Sequence, residues 1–114
     1  MMQAYVSLYK YKGPIKGGGP ERFERVKNIV ADEKGRILHI YGLLGEYDAL
    51  SVAEFPDNRA AMRAALRIGN LINAQSNTLA AVEGDDFLQI MSELWWIAWI
   101  PSPVLINWIR FQRF

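Results

Sequence analysis

The sequence predicts an α+β domain with the element order β-α-β-β-α-β, and three observations carry this prediction. Residues Ala4 to Tyr11 alternate between two residue classes with the period of two that is typical of a strand. Two later segments repeat apolar residues at helical spacing, and each follows a proline. Because strand crossovers are right-handed, this order favours a ferredoxin-like fold, a four-stranded antiparallel sheet with both main helices on one face.

The first helix is predicted between a glycine-rich loop and Gly35. Pro20 suits the first helical turn, where its missing amide hydrogen is not needed. We expect Gly35 to end the helix in the left-handed conformation, which glycine adopts without strain. The apolar residues at helical spacing are Phe23, Val26, Ile29 and Val30.

Two strands and a second helix are predicted next. The strands cover Ile37 to Leu44 and Tyr47 to Phe55, and a short hairpin joins them. Asp57 is expected to cap the second helix, because an aspartate side chain accepts hydrogen bonds from the first free amides. This alanine-rich helix is predicted to span about Asn58 to Ile72.

The remaining elements are a fourth strand and a short third helix. Gln75 to Glu83 is the strand candidate, and Asp85 could cap a helix that covers Asp86 to Leu94. We therefore expect the ferredoxin-like domain to occupy residues 1–91, followed by an apolar extension over residues 92–114.

The extension contains all four tryptophans and no charged residue between Leu94 and Ile109. As one helix, its roughly 16 residues would reach only about 24 Å of the ~30 Å hydrocarbon core of a bilayer. A membrane span is therefore not expected, and packing on protein is favoured over membrane contact because an exposed apolar patch promotes aggregation. The tryptophans are Trp95, Trp96, Trp99 and Trp108.

Composition narrows the possible functions. Thirteen basic and twelve acidic residues leave a formal net charge of +1, so no nucleic-acid partner is expected. The absence of cysteine excludes disulfides, thiolate metal ligands and cysteine nucleophiles. No secretion signal pattern is visible at the start of the sequence, so a cytoplasmic location is the expectation.

One face of the predicted sheet has no helix to cover it. We expect the bulky aliphatic residues to face the helices: Val6, Leu8, Leu38, Ile40, Leu50 and Val52. The opposite face then carries Tyr5, Ser7, Tyr9, His39, Tyr41, Ala49 and Ser51. Because tyrosine combines apolar area with a hydrogen-bonding tip, this face is predicted to contact another molecule.

Two uses of this face remain open. The preferred hypothesis is a homo-oligomer, a dimer or larger, that binds a small molecule or a protein partner through this face. The alternative is a cofactor-independent enzyme in which stacked sheets enclose a substrate and His39 acts as an acid or base. The candidate catalytic residues are His39, Tyr5, Tyr9 and Tyr41. No cofactor is expected under either hypothesis.

A short acidic turn carries a family resemblance. Gly45, Glu46, Tyr47 and Asp48 form a Gly-x-Tyr-Asp motif at the start of the predicted third strand. It is followed by Ala53-Glu54-Phe55-Pro56-Asp57, an alanine-rich helix that ends near Gly69, and Thr78-Leu79. Together these segments resemble the GYD domain family over about residues 4–87. The resemblance implies a small bacterial or archaeal protein with a ferredoxin-like fold related to dimeric α+β barrels, and it implies no particular activity.

The turn itself admits two interpretations. Glu46 and Asp48 lie two residues apart, and paired carboxylates can perform acid–base chemistry or hold a divalent cation. No metal is expected, because two carboxylates without further oxygen ligands make a poor site. The favoured interpretation is structural: Gly45 takes a positive φ angle, and Asp48 accepts backbone amide hydrogens. If the uncovered face and the turn bind a ligand instead, the candidate ligand-binding residues are Tyr5, Tyr9, His39, Tyr41, Tyr47 and Asp48.

Overall fold

The structure, a computed structural model, describes residues 2–14 and 19–94. The chain divides between Ala81 and Val82 into two compact units. Residues 95–114 of the predicted apolar extension, which include Trp95, Trp96, Trp99 and Trp108, lie outside the described residues. Within the described part, no helix combines the length and the apolar character that crossing a membrane requires.

The element order agrees with the prediction. The first unit contains β1 (Gln3–Tyr11), α1 (Gly19–Asp32), β2 (Arg36–Gly42), β3 (Ala49–Phe55), α2 (Asn58–Ile72) and β4 (Ala74–Ala81). The second unit contains the short third helix α3 (Gly84–Glu93). The described strands form one antiparallel sheet in the order β2-β3-β1-β4, which confirms the predicted ferredoxin-like architecture.

Helix ends are determined by local chemistry, and one of the three predicted capping residues is confirmed. Asp57 caps α2 as predicted, because its carboxylate accepts a hydrogen bond from the Ala60 amide at 2.9 Å. After α1, Lys34 takes the left-handed conformation with φ 60°, so the assignment of that role to Gly35 is wrong. Asp85 does not cap α3 either: it lies in the first helical turn, where its charge suits the helix dipole.

The two faces of β1 and β3 are the reverse of the prediction. Tyr5, Ser7 and Tyr9 are buried on the side of the sheet that carries the helices, so their assignment to the uncovered face is wrong. Tyr5 is paired with Ala53 and Tyr9 with Ala49, which places the corresponding residues of β3 on the same side. The residues that were predicted to face the helices, and instead face away from them, are Val6, Leu8, Leu50 and Val52.

Alanine in α2 and a hydrogen-bond partner for Tyr5 explain the reversal. Ala60, Ala61 and Ala64 are buried against the sheet, and their small side chains leave room for large rings on the facing strands. Burial of a tyrosine hydroxyl is costly unless it is hydrogen-bonded. The Tyr5 hydroxyl meets this requirement by donating to Asn58 Oδ1 at 2.5 Å.

A β-bulge in β2 preserves the prediction for His39, Ile40 and Tyr41, whereas Leu38, which was predicted to face the helices, is the extra residue without a partner on β3. Ile37 is paired with Ala53, but His39 is paired with Val52, so one extra residue lies between them. Beyond the bulge, Ile40 shares the helix side of the sheet, while His39 and Tyr41 face away from the helices as predicted.

Candidate functional site

The predicted site residues are distributed over three places in the first unit. Tyr5 and Tyr9 lie under the helices, with 4% and 6% of their surfaces exposed. His39 and Tyr41 lie on the opposite face of the sheet, and Tyr47 and Asp48 lie in the turn before β3. The structure therefore does not bring His39 together with Tyr5 and Tyr9 around one substrate, as the enzyme hypothesis requires.

The side of the sheet that faces away from α1 and α2, here called the outer face, has an aliphatic centre. In the register of the sheet, Val6 on β1 lies between Val52 on β3 and Leu79 on β4. Leu8 lies beside Leu50 in the next position of the same face. The described outer-face residues are Ala4, Val6, Leu8, Lys10, Arg36, His39, Tyr41, Leu50, Val52, Glu54, Gln75, Asn77, Leu79 and Ala81.

Polar residues border this aliphatic centre. Arg36 and Glu54 form an ion pair at 2.6 Å toward one end of the face. Lys10 and Gln75 are paired in register at the other end. The outer face thus combines an apolar middle with charged or polar ends, which is the composition that protein interfaces share.

His39 and Tyr41 lie side by side on β2, an edge strand of the sheet. Their rings are stacked, with centroids 6.0 Å apart and planes inclined by 21°. Both side chains are exposed, Tyr41 by 54%. Within residues 2–14 and 19–94, neither ring forms a side-chain hydrogen bond, so both polar groups are available at the edge of the outer face.

The acidic turn joins β1 to the start of β3 through one side-chain and one backbone hydrogen bond of Asp48. Asp48 Oδ2 accepts a hydrogen bond from the Tyr11 amide at 2.8 Å, and the Asp48 amide donates to the Tyr9 carbonyl at 2.8 Å. Gly45 has a φ of 134°, a conformation that favours glycine. The Asp48 carboxylate therefore accepts a backbone amide as predicted, but this amide belongs to the neighbouring strand β1 and not to the hairpin itself.

Substitution of Asp48 is expected to affect stability. Asp48→Ala should lower the free energy of unfolding by about 1 kcal/mol, because the Tyr11 amide loses its acceptor. Asp48→Asn should cost less, since its side-chain carbonyl can accept the same hydrogen bond. Urea denaturation followed by far-UV circular dichroism measures both effects. Unchanged midpoints for both variants would contradict a structural role for this carboxylate.

Tyr5 has the environment of a structural residue. Its ring packs edge-on against Phe55, with centroids 5.9 Å apart, and its hydroxyl is bonded to Asn58. Burial raises the pKa of the Tyr5 hydroxyl, and the negative charge of Asp57 raises it further. The hydroxyl is therefore protonated at neutral pH and serves as a hydrogen-bond donor inside the domain.

Metal-binding side chains do not cluster in the described part of the chain, where no group of three or more His, Asp or Glu residues could hold an ion. Glu46 and Asp48 thus have no third ligand of these types among the described residues.

The sequence of the chain matches the model of a known protein family. The family model of the GYD domain matches residues 12–91. The search of curated proteins found no match.

Two solved structures share the fold. The leucine response regulatory protein LrpA of Mycobacterium tuberculosis is similar with a TM-score of 0.55 and 16% identity, over 71% of this chain and 51% of that chain. The 30S ribosomal protein S6 of Thermotoga maritima is similar with a TM-score of 0.51 and 18% identity, over 82% of this chain and 97% of that chain. The chain spans about half the length of LrpA, and at these identities the likeness confirms the fold alone.

Proposed function

The chain belongs to the GYD domain family, and we propose that it acts as a homo-oligomeric binding domain whose subunits associate through the outer face. The observation that carries this proposal is the aliphatic centre of that face, where Val6 lies between Val52 and Leu79. Removing apolar surface from water contributes about 25 cal/mol per Å².

The layered construction of the first unit supports the same conclusion. A sheet that packs helices on one side only leaves its other side to water or to a further layer. A second copy would supply that layer, because two sheets stack at about 10 Å with interdigitating side chains. The ion pair of Arg36 and Glu54 and the side chain of Lys10 would then lie toward the rim, where charges remain hydrated.

His39 and Tyr41 take a defined place in this proposal. Both lie on β2, at the edge of the sheet, and their stacked rings present a phenol hydroxyl and imidazole nitrogens to the surroundings. We assign them to contact with the second copy at the rim of the interface. Tyrosine suits this position because its ring is apolar and its tip is polar.

The proposal predicts that one charge on the outer face will weaken association. In a symmetric dimer, Leu79→Glu would introduce a carboxylate on each subunit at the interface, and burying unpaired charge is strongly unfavourable. We expect the intact protein to sediment as a dimer or larger species at micromolar concentration. Leu79→Glu should weaken association by at least about tenfold, or ~1.4 kcal/mol.

Leu66→Glu is the matched control. Leu66 lies on α2 and is 63% exposed, compared with 48% for Leu79, so both leucines can be replaced with little effect on the core. The control should retain the oligomer, and circular dichroism should show both variants folded. A monomeric wild-type protein would refute the proposal. If Leu66→Glu dissociated the oligomer and Leu79→Glu did not, the interface would lie on the helices instead of the outer face.

A further inference from the structure

We infer that a cavity between the sheet and the two helices of the first unit is a binding site for a compact aromatic molecule that carries one hydroxyl group. The cavity has a volume of about 230 Å³ and lies on the helix side of the sheet. It is therefore separate from the outer face, and the inference is independent of the proposed self-association.

The size of the cavity defines the size of the ligand. Protein interiors are packed so closely that voids larger than a water molecule are few. An engineered apolar cavity of about 150 Å³ stays dry and binds benzene. Sites for drug-sized ligands begin at about 300 Å³. A volume of about 230 Å³ lies between these values and corresponds to a molecule of one or two fused rings.

The lining of the cavity defines its chemistry. Side chains of α1, α2 and the sheet all contribute, and among the described lining residues only Arg22 is charged. A cationic or extensively hydrated ligand would lose its water shell here without compensation, because the single charge in this described lining is positive. The principal apolar lining residues are Phe23, Val26, Val30, Ala53, Phe55 and Ala64.

Tyr9 provides the polar group for recognition. It lines the cavity with only 6% of its surface exposed, and its hydroxyl makes no hydrogen bond to any residue in the described ranges. Among the described residues, no side-chain oxygen or nitrogen is both fully buried and without a partner, so the Tyr9 hydroxyl reaches space that water or a ligand can occupy. The hydroxyl of Tyr5, by contrast, is bonded to Asn58, and Ser7 Oγ is hydrogen-bonded to Thr78 Oγ1 at 2.8 Å.

The Tyr9 hydroxyl can donate or accept, so it matches a single hydroxyl on an otherwise apolar ligand. Tyr11 and Ser51 also line the cavity, but a larger part of each residue is exposed than of Tyr9. An aromatic ring between the helices and the sheet would contact the Phe55 side chain, and ring pairs of this kind are favourable beyond their buried area.

Titration with 1-naphthol and naphthalene tests the inference. Both compounds are added to the full-length, isotope-labelled chain, and amide shifts measured by NMR report where and how tightly each binds. We expect both to bind with shifts confined to the residues around the cavity. Ala64→Leu, which fills the cavity, should weaken the binding of both by at least about tenfold. Ala31→Leu, at an exposed position of α1, is the matched control and should change neither.

Tyr9→Phe separates the polar contact from the apolar one. This variant keeps the ring and removes the hydroxyl, so it should weaken 1-naphthol about threefold to tenfold and leave naphthalene unchanged. If Ala64→Leu does not fold, the Tyr9→Phe variant still tests whether 1-naphthol binds in the cavity. The inference is refuted if neither compound binds, if Ala64→Leu binds like the wild type, or if Tyr9→Phe affects both compounds equally.

Discussion

Replacement of Phe55 by alanine is expected to lower the free energy of unfolding of the first unit by about 3–5 kcal/mol. Phe55 is 5% exposed, and its ring packs edge-on against that of Tyr5. The substitution removes buried apolar contacts and enlarges a cavity that already occupies the space between sheet and helices. Since small domains are stable by only about 5–15 kcal/mol, a loss of this size should strongly lower the urea midpoint.

Phe23→Ala is the matched control for this prediction. Phe23 lies on α1 with 38% of its surface exposed, so its loss should cost about 1 kcal/mol. Far-UV circular dichroism is the appropriate signal, because it follows the strands and helices of the backbone directly. Protein concentration is held constant, since association would add to apparent stability. Equal losses for the two variants would contradict the core position of Phe55.

Local chemistry made the element order and several boundaries predictable. The α2 helix spans Asn58–Ile72, as expected from its cap at Asp57 and its apolar spacing. These signals depend only on residues that are close together in the chain, so they can be identified from a single sequence. The same holds for Gly45, whose positive φ follows from its place in a tight turn.

The orientation of β1 and β3 was not predicted correctly, because alternation shows which residues share a face but not which face is buried. Two charged residues were a usable signal. Lys10 shares a face with Val6 and Leu8, and Glu54 shares a face with Leu50 and Val52. Placing the aliphatic residues under the helices would have buried these charges, which is costly without partners.

The bulge in β2 and the partner of Tyr5 depend on the tertiary structure. No glycine or proline marks the extra residue between Ile37 and His39, so only strand pairing reveals it. The hydrogen bond from Tyr5 to Asn58 joins residues 53 positions apart. For the same reason the cavity beside Tyr9 could not be predicted: its walls come from elements distant in sequence that meet only in the fold.

Gly35→Ala should lower the free energy of unfolding by about 1–3 kcal/mol, because the position has no room for a side chain. A Cβ atom there would lie 2.6 Å from Cδ1 and Cε1 of the Phe55 ring and 2.7 Å from the Glu54 carbonyl oxygen. The ring could rotate, but the carbonyl belongs to β3, which is paired on both sides. Glu54 lies opposite Ala4 on β1 and opposite Arg36 on β2, so its backbone cannot move without disturbing both pairings.

Gly42→Ala separates this steric effect from the general consequence of replacing a glycine. Gly42 ends β2, and a Cβ atom there would meet no atom within 4 Å. Its replacement should change the free energy of unfolding by no more than about 0.5 kcal/mol. In addition, alanine makes the unfolded chain less flexible, which contributes a small stabilisation. Urea denaturation of both variants under the same conditions gives the comparison. Since Gly35 is not required for the left-handed turn at Lys34, a large loss for Gly35→Ala would be due to close packing against β3, and equal stabilities would show that this packing is absent.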